Sequence, residues 1–212
     1  KAAIATLLDY LHETVKTDLS HVNHLSYIDA SSNLVIDTYT LRNLEITHNL
    51  RDGDKKGTLF SVLDFTGTAM GSRKLSKWLE YPLLDRYKIE QRLDAVEELS
   101  NDFSRRAQIR ELLKSVYDFE RLLTRVEVGT ANARDMLALK KSLYALPHIK
   151  AALTGVKSAL LQSADKNINV YETLVDLLER AIDENPGLLL RDGGIIKDGF
   201  NKELDEYRRL AS

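Results

Sequence analysis

The chain of 212 residues has no cysteine, three prolines and one tryptophan. Without cysteine there is no disulfide framework, no thiolate metal site and no sulfur redox chemistry, which fits a reducing cytosol. No apolar run approaches the roughly 20 residues that a bilayer crossing requires, and the start, KAAIATLLDYLHETV, lacks the small-residue cleavage site of a secretory signal. The expectation is a soluble, cytoplasmic protein. Charge of one sign is also missing: 30 Lys plus Arg face 32 Asp plus Glu, a formal charge of −2. Bulk charge gives no nucleic-acid surface, so any DNA contact has to come from local clusters. The chain also lacks an initiator Met and is helical in pattern from its fourth residue, which predicts a piece of something longer.

What is present is a 3.6-residue period carried by 43% hydrophobic residues, enough to fill a core. Ile4, Leu7, Leu8, Leu11 and Val15 make one stripe, and Ile89, Leu93, Val96 and Leu99 another. Ile109, Leu112, Leu113 and Val116 follow, then Phe119, Leu122, Leu123 and Val126. Further stripes are Met136 to Leu146, Ile149 to Leu160, and Tyr171 to Ile182, each with charged residues on the other side. Asp85, Asp118 and Asn132 stand just before stripes, where a short oxygen-bearing side chain accepts from free first-turn N–H groups. Pro82, Pro147 and Pro186 fall between stripes and are expected to lie outside helices.

Two places break the helical pattern. Leu25 to Ile28 and Leu34 to Ile36 flank Ala30–Asn33, while Leu188 to Leu190 faces Ile195 and Ile196 across Arg191-Asp-Gly-Gly194. Both read as small hairpins, the second with glycines that supply positive φ. With no repeat or Gly/Ser linker, the prediction is one all-α, multi-helix bundle with one or two small β-hairpins.

No catalytic, cofactor-binding or metal-binding residue emerges. His21 and His24 are three apart, and Glu45 and His48 have Glu-x-x-His spacing. A carboxylate-bridged di-metal bundle needs two such motifs and further glutamates, so surface histidines are the plainer reading. Asp52 to Gly57 opens like a calcium loop, but Lys56 and Leu63 occupy the fifth and twelfth places where oxygen ligands belong. No G-x-x-x-x-G-K-[ST] phosphate loop occurs, and Ser72 lacks both a nucleophile elbow and a base. The basic pairs Arg105-Arg106 and Lys140-Lys141 are interleaved with acids and read as solvated surface; Arg208-Arg209 stays open as a phosphate contact.

The stretch TAMGSRKLSKWLEYPLLD, Thr68 to Asp85, holds the sole Trp, a Gly near a helix start and a closing Pro. With its flanks it resembles the MutS family of DNA mismatch-repair proteins. Ile36-Asp37-x-x-Thr40-x-Arg42-Asn43-Leu44-Glu45-Ile46 is similar to the family's I-D-x-x-T-x-R-N-L-E-I. Thr58-Leu59-x-x-Val62-Leu63-Asp64-x-Thr66 resembles its T-L-x-x-V-L-D-x-T, and Met70 through Pro82 its M-G-S-R-x-L-x-x-W-L-x-x-P. Arg191 to Ile196 and Asn201 to Glu206 resemble the approach to the family's clamp.

The resemblance implies residues 1–190 as the first segment of the core domain, and 191–212 as a hairpin and the start of a lever helix toward the clamp. It implies a non-catalytic helical scaffold in a parent that binds mismatched duplex DNA, uses ATP and Mg in a separate ATPase domain, also contains connector and clamp domains, and forms a homodimer. The family's Phe-x-Glu mismatch reader and phosphate loop are absent from this chain, so neither role is carried over. Within this reading, Thr68 caps a helix, Gly71 permits close helix approach, and Leu75, Trp78 and Leu79 form a packing anchor. The competing readings are a free-standing helical interaction module and a bundle enzyme with a carboxylate or metal site.

Overall fold

In the computed structural model the described residues are 2–15, 32–187 and 193–211. Helices dominate them, and Lys1–Ser31 and Ser32–Ser212 are separate compact units. The first unit carries α1 (Ala2–Val15), the helix expected from the opening stripe, with Leu7 and Tyr10 exposed. His21, His24 and the Leu25–Ile28 arm lie outside the described residues, as do Leu188–Leu190, Arg191 and Asp192.

The second unit begins with α2 (Thr38–Asn43), α3 (Leu59–Leu63), α4 (Ala69–Glu80), α5 (Arg86–Asn101) and α6 (Phe103–Leu113). It continues with α7 (Phe119–Glu127), α8 (Ala133–Ala152), α9 (Ala159–Asn167), α10 (Glu172–Ala181) and α11 (Lys202–Ala211). The predicted caps are made. Asp85 accepts from Tyr87 and Lys88, Asp118 from Arg121, and Thr68 from Gly71; Asn132 exchanges bonds with Asp135 in a capping box. Each such cap stabilises its helix by about 1 kcal/mol.

α8 is the spine, about 30 Å long at 1.5 Å per residue. One of its faces buries Leu139 and Leu143 against Leu122 of α7 and Leu178 and Ala181 of α10. Another buries Ala145 and Ile149, with Ile109, Leu112 and Leu113 of α6 packed around them. The expectation that Pro147 separates two helices is wrong, because Pro147 lies inside α8. The stripe before it and Ile149 after it lie on two faces of α8, and that register change imitates a break; the rest of the later stripe runs past the helix, with Val156 between the helices and Leu160 in α9. The real stop comes later, where Leu153 caps α8 and Gly155 takes φ +80°.

α5 also departs from expectation. Leu93 and Val96 are 59% and 64% exposed, and the inward register is Arg92, Ala95 and Leu99. Among the described residues β pairing is confined to two isolated bridges, Asn33 with Leu83 and Ile182 with Ile196. Leu34 N donates to Pro82 O at 2.8 Å, and Asp183 N donates to Ile195 O at 2.8 Å. These contacts join segments distant in sequence.

Candidate functional site

The motif residues of Thr58 to Pro82 fasten one another. Thr58, 1% exposed, donates to Lys55 O at 2.6 Å and caps α3 by accepting from Ser61 N. Asp64 accepts from the hydroxyls of Thr66 at 2.6 Å and Ser72 at 2.7 Å, and those bonds hold its carboxyl below the usual carboxylate range. Ser72 is thus a tether of α4 to the turn after α3. Gly71 sits in a tight place: a Cβ there would lie 3.1 Å from the capping Thr68 Oγ1 and 3.4 Å from Thr66 Cβ, so those side chains would have to give way. The close approach is to its own turn, in place of the helix–helix approach that the sequence predicts. Trp78 is half-buried, with the Arg92 guanidinium 3.7 Å from its ring centroid, joining α4 to α5.

Longer-range polar bonds tie the remaining helices. Arg73 of α4 forks onto Asp118 at 2.7 and 2.8 Å and reaches Glu120 at 2.6 Å. Asp118 already caps α7, so one carboxylate seats both a helix start and a neighbouring helix; the Arg73 bond chiefly holds it below the ordinary range. Glu98 of α5 accepts from Ser158 N at 2.8 Å and Lys157 N at 2.7 Å. These bonds lower its carboxyl, and they cap α9, whose own Ser158 makes no side-chain cap bond.

Glu179 of α10 meets Lys140 of α8 at 2.7 Å and Lys197 at 3.5 Å, with the Lys140 bond lowering its carboxyl most. Arg125 of α7 pairs with Asp135 of α8 at 2.9 Å, and Lys150 donates to Asp165 O at 2.6 Å and Ile168 O at 3.2 Å, holding the end of α9. Ser142, fully buried, accepts from Tyr117 N at 2.8 Å and donates to Ala138 O at 2.7 Å. That hydroxyl stitches the turn before α7 to the middle of α8.

Several residues read as solvated surface have such roles. Lys140 has 15% side-chain exposure, while Lys141 is exposed as expected. Arg106 donates to Leu99 O and Ser100 O, both at 2.8 Å, closing the end of α5, and Arg105 pairs with Asp102 at 3.2 Å. Arg208, kept open as a phosphate contact, bonds Asp198 and donates to Ile196 O at 2.9 Å, fixing α11 to the preceding segment; Arg209 Nε donates to Asp205 O at 3.4 Å. Glu45 accepts from Leu50 N, and His48 Nδ1 lies 3.1 Å from Thr47 Oγ1. Among the described residues, no group of three His, Asp or Glu is arranged to hold a metal, and no helix is long and apolar enough to cross a membrane.

The sequence could have flagged Glu98, since a carboxylate stands between Ala95 and Leu99 on the inward register. The other side-chain ties between elements join residues 8 to 47 positions apart, beyond any local pattern.

The comparisons with known proteins agree with this architecture. The family model for MutS domain III matches residues 39–212. The DNA mismatch repair protein MutS of Desulforamulus reducens is 48% identical over 209 residues, covering 99% of this chain and 24% of that protein. Those of Pelotomaculum thermopropionicum and Symbiobacterium thermophilum are 46% and 47% identical, covering 98% and 99% of this chain and again 24% of each relative. A helical chain matched along nearly its whole length, yet spanning a quarter of such relatives, belongs to the MutS family as a segment of its core domain III.

Proposed function

We propose that this segment is a non-catalytic scaffold that transmits displacement between the DNA-clamp side and the ATPase of a longer mismatch-repair protein. The observation that carries the reading is the chain of side-chain bonds running α4–α7–α8–α10, with Glu98 and Lys150 adding α9 from two directions. Backbone hydrogen bonds close inside each helix, so each is a stiff rod, and fixed bonds between rods pass movement on instead of absorbing it. In this reading mismatched duplex DNA, ATP and Mg engage other domains of a cytoplasmic parent, which works as a homodimer. The chain itself turns over no substrate.

The test is made in the full-length protein carrying this segment. Arg73→Ala and Glu98→Gln are expected to leave basal ATP hydrolysis in place while cutting its response to mismatched duplex. Coupling between two sites is a free-energy difference that intermediate residues modulate without touching either ligand. An unchanged response in both variants would refute the scaffold reading. For the 212-residue chain alone, the expectation is no ATP hydrolysis above buffer and only weak, salt-sensitive duplex binding without mismatch preference.

A further inference from the structure

The loop joining α2 to α3 is built more firmly than a polar connector needs. Glu45 sits at φ +47°, a left-handed conformation rare outside glycine, and its carboxylate accepts from Leu50 N at 2.6 Å. Asn49 Oδ1 accepts from Asp52 N at 3.0 Å and Gly53 N at 3.1 Å. Asn49 Nδ2 donates to Lys56 O at 3.0 Å, and Asn49 N donates to Asp54 O at 2.8 Å. The loop is anchored beneath by Ile46 and Phe60, both buried, through a 2.9 Å bond from Phe60 N to Ile46 O.

This framework encloses, with α2, a cup of about 530 Å³ lined by Thr38, Arg42, Thr47, His48 and Arg51 among others. Neither Arg42 nor Arg51 has a carboxylate within 4.0 Å among the described residues. Asp52 also lines the cup, but its Oδ1 accepts from Asp54 N at 3.2 Å. Arg73, Arg125 and Arg208 are each locked onto acids, whereas Arg42 and Arg51, two guanidiniums without such partners, line one concavity together. Lys55 and Lys56 follow close behind in the same loop.

We propose that this cup is a binding site for a phosphate ester. Two guanidinium forks and the Thr38 hydroxyl offer more donors than one carboxylate accepts, whereas the non-bridging oxygens of a phosphate take bidentate Arg bonds. The volume falls in the range of small-molecule sites and exceeds a bare phosphate, leaving room for the group that carries it. The phosphate comes either from a free nucleotide or from a nucleic-acid strand. The site is independent of the scaffold reading, since the cup stands whether or not the helices transmit movement.

The experiment is an amide and Arg Nε NMR titration of the 212-residue protein at constant ionic strength, with deoxyadenosine 5′-monophosphate in one arm and a 12-base-pair duplex in the other. Saturable shifts centred on residues 42–53 in either arm are expected. Shifts with the mononucleotide alone assign a free phosphate ester, and shifts with the duplex assign a strand. Arg42→Gln with Arg51→Gln is expected to weaken binding about tenfold or more, while Arg42→Lys with Arg51→Lys restores only part, because a point charge replaces a fork. Helical circular dichroism serves as the folding control, and the single Arg51→Gln variant, altered only in the loop, repeats the test where the double variant fails it. No saturable shift in either arm, or unchanged binding in a folded Gln variant, would overturn the proposal.

Discussion

Replacing Ser142 by Ala removes one oxygen from the middle of α8, and the consequences follow from the two bonds that this oxygen makes. The bond to Ala138 O is backed by the helix's own ladder, so its loss costs little. The bond from Tyr117 N is different: it is a backbone donor whose acceptor is a fully buried hydroxyl. Leaving such a donor unpaired costs about 1–3 kcal/mol, while Ala recovers roughly half a kcal/mol as the better helix former. The net expectation is a loss of about 1.5 kcal/mol. With a urea slope of about 2.5 kcal/mol per molar, the midpoint falls by roughly 0.6 M. The assay is paired urea unfolding and amide hydrogen exchange, with the Tyr117 amide losing protection more than its neighbours in α8. A midpoint unchanged within error, together with a Tyr117 amide as protected as before, would show that the stitch carries no weight.

Pro147→Ala restores a helical N–H in α8 and is expected to stabilise by about 2 kcal/mol, the interior proline penalty of about 3 kcal/mol less the roughly 0.4–1 kcal/mol that Pro gains by restricting the unfolded chain; a lower thermal midpoint would contradict this. Glu98→Gln leaves one neutral oxygen where a carboxylate spanned two N–H groups, so exchange across α9 is expected to rise about fivefold, with α8 unaffected. Acid stability follows from Asp64, Glu98, Asp118 and Glu179, all held below their ordinary values by bonds made only in the fold. Their contribution is complete above the unfolded carboxyl range of about 4–4.5 and is lost as pH falls through the lower folded values. Thermal midpoints should therefore drop below about pH 4.5, and less steeply in Asp118→Asn. A midpoint rising between pH 5 and 3 would defeat the assignment.

Helix placement was legible because it is local. Asp85, Asp118, Asn132 and Thr68 stand next to the N–H groups that they cap, and periodicity needs no partner to be seen. The face a helix buries is a different matter, since it depends on what lies opposite. The stripe of Ile89, Leu93 and Val96 marks α5 as a helix yet turns outward, and Pro147 reads as a boundary because Leu143 and Ile149 lie on different faces of α8. The motif residues were visible as a pattern before their bonds were. Asp64 with Ser72, and Arg73 with Asp118, became meaningful only when the chain brought them together. Lys140 reads as solvated surface and Arg208 stays open for the same reason: composition around a cation does not say which acid the fold delivers to it.

Because α9 receives its opening acceptor from α5, its nine residues depend on a helix nearly sixty positions upstream. So short a segment does not persist unaided in water. Its start is steadied by α5 and its end by Lys150 of α8, so the winding of its first turn is a built-in gauge of whether α5 remains docked.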